Sequence, residues 1–117
     1  MENTLAYDDL RVLKKILNMT VRNLKKDTVK SENDVYNRNI RKKIRFVKWI
    51  LDLIISGDFT YQEIMDMIDL KTESRKKDLD NALGKSRKES INDSINILAW
   101  IRNMITTTRV MSFTDIS

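Results

Sequence analysis

Residues 34–56, DVYNRNIRKKIRFVKWILDLIIS, decide the fold class. Tyr36, Ile40, Ile44, Val47, Leu51 and Ile54 recur at spacings of three and four, so at about 100° per residue they line one side of a helix. Arg38, Arg41, Lys42, Arg45 and Lys48 fall on roughly the opposite side, with Trp49 among them. Ser31 or Asn33 is placed to cap the start, and Gly57 takes the stop position just past the end. A lone helix of this length is marginal in water, so the apolar stripe needs partners from the rest of the chain.

Those partners are legible on both sides. Upstream, the pattern predicts a helix from about Leu5 to Asp27 with Asn3 or Thr4 as its cap. Ala6, Leu10, Leu13, Leu17, Val21 and Leu24 form its main stripe, while Leu5, Val12, Ile16 and Met19 lie on another side and predict contact with a second neighbour. Arg11, Lys14, Lys15, Arg22 and Lys25 share a third side. A loop over residues 30–34, KSEND, joins the two helices.

Downstream, Phe59-Thr60-Tyr61-Gln62-Glu63-Ile64 reads as a capping box between Thr60 and Glu63, with Phe59 and Ile64 as a hydrophobic staple. It opens a short helix over about 61–70, with Ile64, Met65 and Met67 or Ile68 as its stripe. Thr72 is placed to cap a fourth helix over about 73–83, ending at Gly84. Ser86 to Glu89 is a second possible capping box, opening a fifth helix over about 87–105 with Ile91, Ile95, Leu98, Ile101 and Ile105 on one side. Residues 106–117 show no helical pattern and read as a flexible tail, or one docked loosely through Val110 and Phe113. No stretch alternates with period two, proline is absent and glycine occurs twice. The expectation is an all-α single domain over residues 1–105, a bundle of four to five helices with no sheet, whose core includes Leu17, Ile44, Val47, Leu51, Leu98 and Ile101.

Composition bounds what such a domain does. At 117 residues a single core suffices to bury about two thirds of the unfolded surface. With 41% hydrophobic and 33% charged residues, the chain reads as folded rather than disordered. It has no cysteine, hence no disulfides, and no histidine, which removes the usual ligands of zinc, copper and haem and the Ser-His-Asp and Cys-His machineries. No cofactor and no metal are expected. Asp66, Asp69 and Glu73 read as an exposed acidic face rather than an acid–base pair. No apolar run reaches membrane-spanning length, and MENTLAYDDL lacks the character of a signal peptide, so an intracellular place, cytoplasmic or nuclear, is expected. Abundant isoleucine, lysine and asparagine hint at an AT-rich genome, such as that of a virus or phage.

The net charge is +5 and the pI about 9.5. Residues 1–30 hold seven Lys and Arg against four Asp and Glu, and residues 31–57 six against three, so each segment nets +3. Residues 58–85 hold five against seven, a net of −2, and residues 86–117 four against three. Excess positive charge is therefore expected on the first two helices. Cations set in rows on a rigid element suit phosphates, and an adjacent aromatic suits a base. The candidate nucleic-acid-binding set is Arg38, Arg41, Lys42, Arg45, Lys48 and Trp49, with Arg11, Lys15 and Arg22 from the first helix. Both tryptophans, Trp49 and Trp100, are expected to be partly buried.

Residues 60–70, TYQEIMDMIDL, resemble the first half of a helix-turn-helix. The second half departs from it, because Arg75 and Asp78 stand where that motif wants apolar residues, and Asp69 stands where its turn wants glycine. An amphipathic helix lying on an anionic membrane also fits residues 34–56, although a shared core explains the stripe more economically. The leading expectation is a small non-enzymatic nucleic-acid-binding accessory protein of low sequence specificity, contacting RNA or DNA phosphates, with a duplex or structured RNA as target. The alternative is a helical protein-interaction module, an adaptor or inhibitor of viral or phage type, or a homodimer, binding through an apolar helix face.

Overall fold

In the computed structural model, backbone is described for residues 2–30 and 34–116, and side chains for residues 10–28 and 34–107. Among the described residues the chain forms four helices and no strand: α1 (Glu2–Lys30), α2 (Asp34–Ser56), α3 (Tyr61–Asn81) and α4 (Lys85–Ile116). No helix of the described residues is long and apolar enough to cross a membrane.

The α2 boundaries follow the sequence closely. Gly57 stops the helix at φ +74° and donates its N–H to the Ile54 carbonyl at 3.1 Å. The capping box forms as expected: the Glu63 N–H donates to the Thr60 hydroxyl at 3.2 Å, and the Thr60 N–H to the Glu63 carboxylate at 3.0 Å. The proposed caps Ser31 and Asn33 lie outside the described residues.

Several expected boundaries are overturned, beginning with the predicted caps Asn3 and Thr4, which lie inside α1. The predicted third and fourth helices are one helix, α3. Thr72 does not cap; its hydroxyl donates back to the Ile68 carbonyl at 2.9 Å inside the helix. No glycine or proline interrupts residues 61–81, and the inward row continues through Thr72 and Arg75, whose polarity hides the periodicity. A continuous helix across residues 70–73 also leaves no turn for a helix-turn-helix. The second capping box is likewise absent. α4 begins at Lys85, the Lys88 N–H donates to the Gly84 carbonyl at 3.2 Å, and Ser86 lies within the helix. Gly84, at φ +90°, makes the tight entry. At its other end α4 runs to Ile116, past the predicted end at 105; the Val110 and Phe113 side chains lie outside the described residues.

Short connections make antiparallel neighbours. α1 packs most extensively on α2, and α3 on α4, giving two helical hairpins. The hairpins join chiefly through α2 against α4. The shared core draws Leu13, Leu17 and Val21 from α1, Val47, Ile50 and Leu51 from α2, Tyr61, Ile64 and Ile68 from α3, and Ile97, Leu98, Ile101 and Ile105 from α4. Of the six residues named from sequence, five are buried and Ile44 is half-buried. On α4, Ile97 is buried and Ile95 only half-buried, because Ser94 takes a stripe position and donates its hydroxyl to the Ser90 carbonyl at 3.3 Å. α1 does meet further neighbours, α4 and α3, as expected, but not through the row named for it: Ile16 is half-buried, Val12 and Met19 are exposed, and the Leu5 side chain lies outside the described residues.

A cationic cleft with an aromatic wall

α2 and α3 are consecutive yet touch little. Between them, closed at one end by the start of α4, lies a cleft of about 920 Å³. Its geometry follows from the sequence of each wall. On α2, the spacing of four, three and four places Arg38, Lys42, Arg45 and Trp49 on one narrow strip. Lys42, Arg45, Phe46 and Trp49 line the cleft, and exposed Arg38 continues the row one turn earlier. On α3, Lys71 and Arg75, four apart, face the same space. α4 contributes Lys85 and Arg87 from its first turn.

Six cations thus meet one carboxylate, Asp78, for a lining charge of +5. That equals the net charge of the whole chain. Asp78 lies 3.4 Å from Arg75, with both side chains nearly half exposed, so their pairing is weak. Like charges drawn together cost folding energy. The first turn of α4 adds to that cost: it holds Lys85, Arg87 and Lys88 and no acid, against the preference of a helix N-terminus for negative charge. A surface that sets aside both rules at one place is a functional candidate.

The wall is partly fixed and partly free. Lys42 Nζ donates to the Ser90 hydroxyl at 2.8 Å and to the Ser90 carbonyl at 3.1 Å, tying α2 to α4. Lys71 Nζ sits 4.6 Å over the Trp49 ring and 5.9 Å from the Phe46 ring centre. Such a cation–π contact is worth about 0.5–1 kcal/mol when open to solvent, so an incoming group can displace the ammonium at small cost. Trp49 and Phe46 are both half-buried, packed on the core from one side and lining the cleft on the other.

The sequence candidates divide into three groups. Lys42, Arg45 and Trp49 are brought together in the cleft. Arg38, Arg41 and Lys48 are exposed on α2 outside its lining. Arg11, Lys15 and Arg22 are exposed on α1 and contribute nothing to the cleft. Lys43, adjacent in sequence to Lys42, turns the other way and covers Trp100 at 4.9 Å.

Sequence reasoning missed Lys71, Arg75, Lys85 and Arg87: residues 58–85 net −2 as a block, and Arg87 falls in residues 86–117, which net only +1. α3 in fact separates its charges. Lys71 and Arg75 take the cleft side, while Asp69 takes the far flank and accepts from Arg102 Nε at 2.8 Å. That hydrogen bond to Asp69, with the carboxylate's charge, pushes the Arg102 guanidinium above its usual range, so it stays cationic. The i,i+4 spacing of Lys71 and Arg75 was the available signal.

Compared with protein-family models, with curated proteins and with solved structures, the chain matches none.

Proposed function

We propose that this protein is a non-enzymatic nucleic-acid-binding accessory protein that engages phosphates of RNA or DNA in the α2–α3–α4 cleft. One observation carries the reading: the cleft lining holds a charge equal to the net charge of the entire chain, on three rigid helices. Lys and Arg presented this way bind a phosphate backbone by releasing its counterions, with little dependence on sequence. Exposed Arg38, Arg41 and Lys48 extend the positive surface along α2 beyond the cleft and lengthen the path a strand follows.

The test is binding of mixed-sequence nucleic acid at about 50 and about 200 mM salt. With about five phosphates engaged, log K falls against log salt with a slope of roughly −4 to −5 on a B-form duplex and about −3.5 on a single strand. Replacing Arg45 and Arg87 by glutamine flattens the slope by about two. Replacing Arg11 and Arg22 on α1 changes it little. Absence of binding at the lower salt, or a cleft double variant that binds like wild type, defeats the proposal.

A further inference from the structure

We infer that the cleft takes an unpaired stretch of nucleic acid, with one base stacked on Trp49 in the place now held by the Lys71 ammonium. This rests on the nucleic-acid reading and narrows it from phosphate binding in general to single strands. Three features converge. First, the cleft is a concavity of about 920 Å³, the scale of pockets that enclose small ligands, roughly 300–1,000 Å³. A few unpaired nucleotides enter such a space, whereas a duplex, with a major groove alone about 12 Å wide, lies across its mouth.

Second, the lining is aromatic as well as cationic. Phosphate contact with a duplex has no use for an indole and a phenyl ring in the same cavity as six cations. A single strand uses both, since every base has a flat face to stack and every linkage a charge to neutralise. Third, the Lys71 ammonium lies over the Trp49 ring and is held there weakly. Its Nζ stands 4.6 Å over Trp49, on a flexible four-carbon stem. When a base slides onto the indole, the ammonium swings outward toward the phosphate attached to that base. Arg45 and Arg75, from the facing walls, flank the same path.

The experiment uses the full chain with Trp100→Phe, which leaves Trp49 as the sole tryptophan. An unstructured oligothymidylate of about eight nucleotides, a mixed-sequence duplex of equal phosphate number and thymidine monophosphate are titrated at about 50 mM salt. Indole fluorescence and labelled-strand anisotropy are read together. The oligothymidylate is expected to quench Trp49 and to bind at least tenfold tighter than the duplex, with the mononucleotide far weaker. Trp49→Leu should then weaken oligothymidylate binding by roughly 5- to 150-fold, the range that stacking of one base spans, while Trp49→Phe retains most of it. The quenching measurement needs no change at Trp49, so a misfolded variant leaves the inference testable.

Duplex binding that is equal or tighter, with an unquenched indole, overturns the inference and leaves the phosphate-binding reading standing. Binding of the mononucleotide as tightly as the oligomer overturns the single-strand assignment. Failure of every nucleic acid to bind overturns both.

Discussion

Ile97→Ala tests the packing at the point where periodicity and structure part ways. Ile97 is 2% exposed in the core formed by all four helices, whereas Ile95, two residues earlier, is half-buried. Truncating a buried isoleucine to alanine costs about 2–5 kcal/mol from lost transfer energy and the cavity left behind. The middle of that range is about 3.5 kcal/mol, and a site closed on all sides, which collapses poorly, costs no less. Alanine returns about 0.4 kcal/mol through better helix propensity, so the net loss is about 3 kcal/mol. A domain of this length has a total stability of roughly 6–18 kcal/mol. Its unfolding entropy, about 250 cal/mol/K, converts each kcal/mol into about 4 °C, so the melting temperature falls by about 12 °C. Ile95→Ala gives up about half as much buried surface and should cost about 1–1.5 kcal/mol. Urea titration of both variants, followed by far-UV circular dichroism, reads the difference as a midpoint shift at constant slope. A loss under 1 kcal/mol at Ile97, or a larger loss at Ile95, refutes the orientation of α4 described above.

Thr72→Ala separates a cap from a mid-helix residue: a true cap loses about 1 kcal/mol, whereas in continuous α3 the change should be neutral or slightly stabilising in thermal denaturation. Thr60→Ala removes half of a formed capping box and should cost about 0.5–2 kcal/mol by chemical denaturation, so an unchanged midpoint would deny the box its role. Because Lys85 and Arg87 crowd the positive end of α4, Arg87→Gln should raise the melting temperature at low ionic strength, and the gap from wild type should close as salt is added. A variant less stable than wild type at low salt would show that the cluster is not repulsive.

Much of the architecture was legible in local signals. The α2 stripe, the stop at Gly57 and the box at Thr60 and Glu63 depend on residues within one or two turns of each other; the structure keeps the stop, the box and most of the stripe, although Tyr36 is exposed and the fully buried Ile50 was not on it. The predicted split of α3 and the shifted stripe on α4 share one cause. Thr72, Arg75 and Ser94 sit on core-facing rows of their helices while carrying polar groups, so a pattern read from hydrophobicity breaks at each of them. Thr72 and Ser94 tolerate the position because their hydroxyls bond back to carbonyls one turn earlier, at Ile68 and Ser90.

The candidate site divides the same way. The cationic row on α2 and the nearby indole are properties of one helix, fixed by the 3.6-residue turn, and they read directly from residues 38–49. The other half comes from two further helices that meet α2 only through tertiary packing. Summing charge along the chain averaged Lys71 and Arg75 with the acids on the opposite flank of α3, and hid the cluster. The sequence by itself determined that the chain is helical, basic and carries cations on α2, because those are local and additive properties. Only the tertiary structure decided that α3 and α4 turn their cations toward that row, with Lys71 over Trp49, because which faces meet depends on how four stripes bury one another at once.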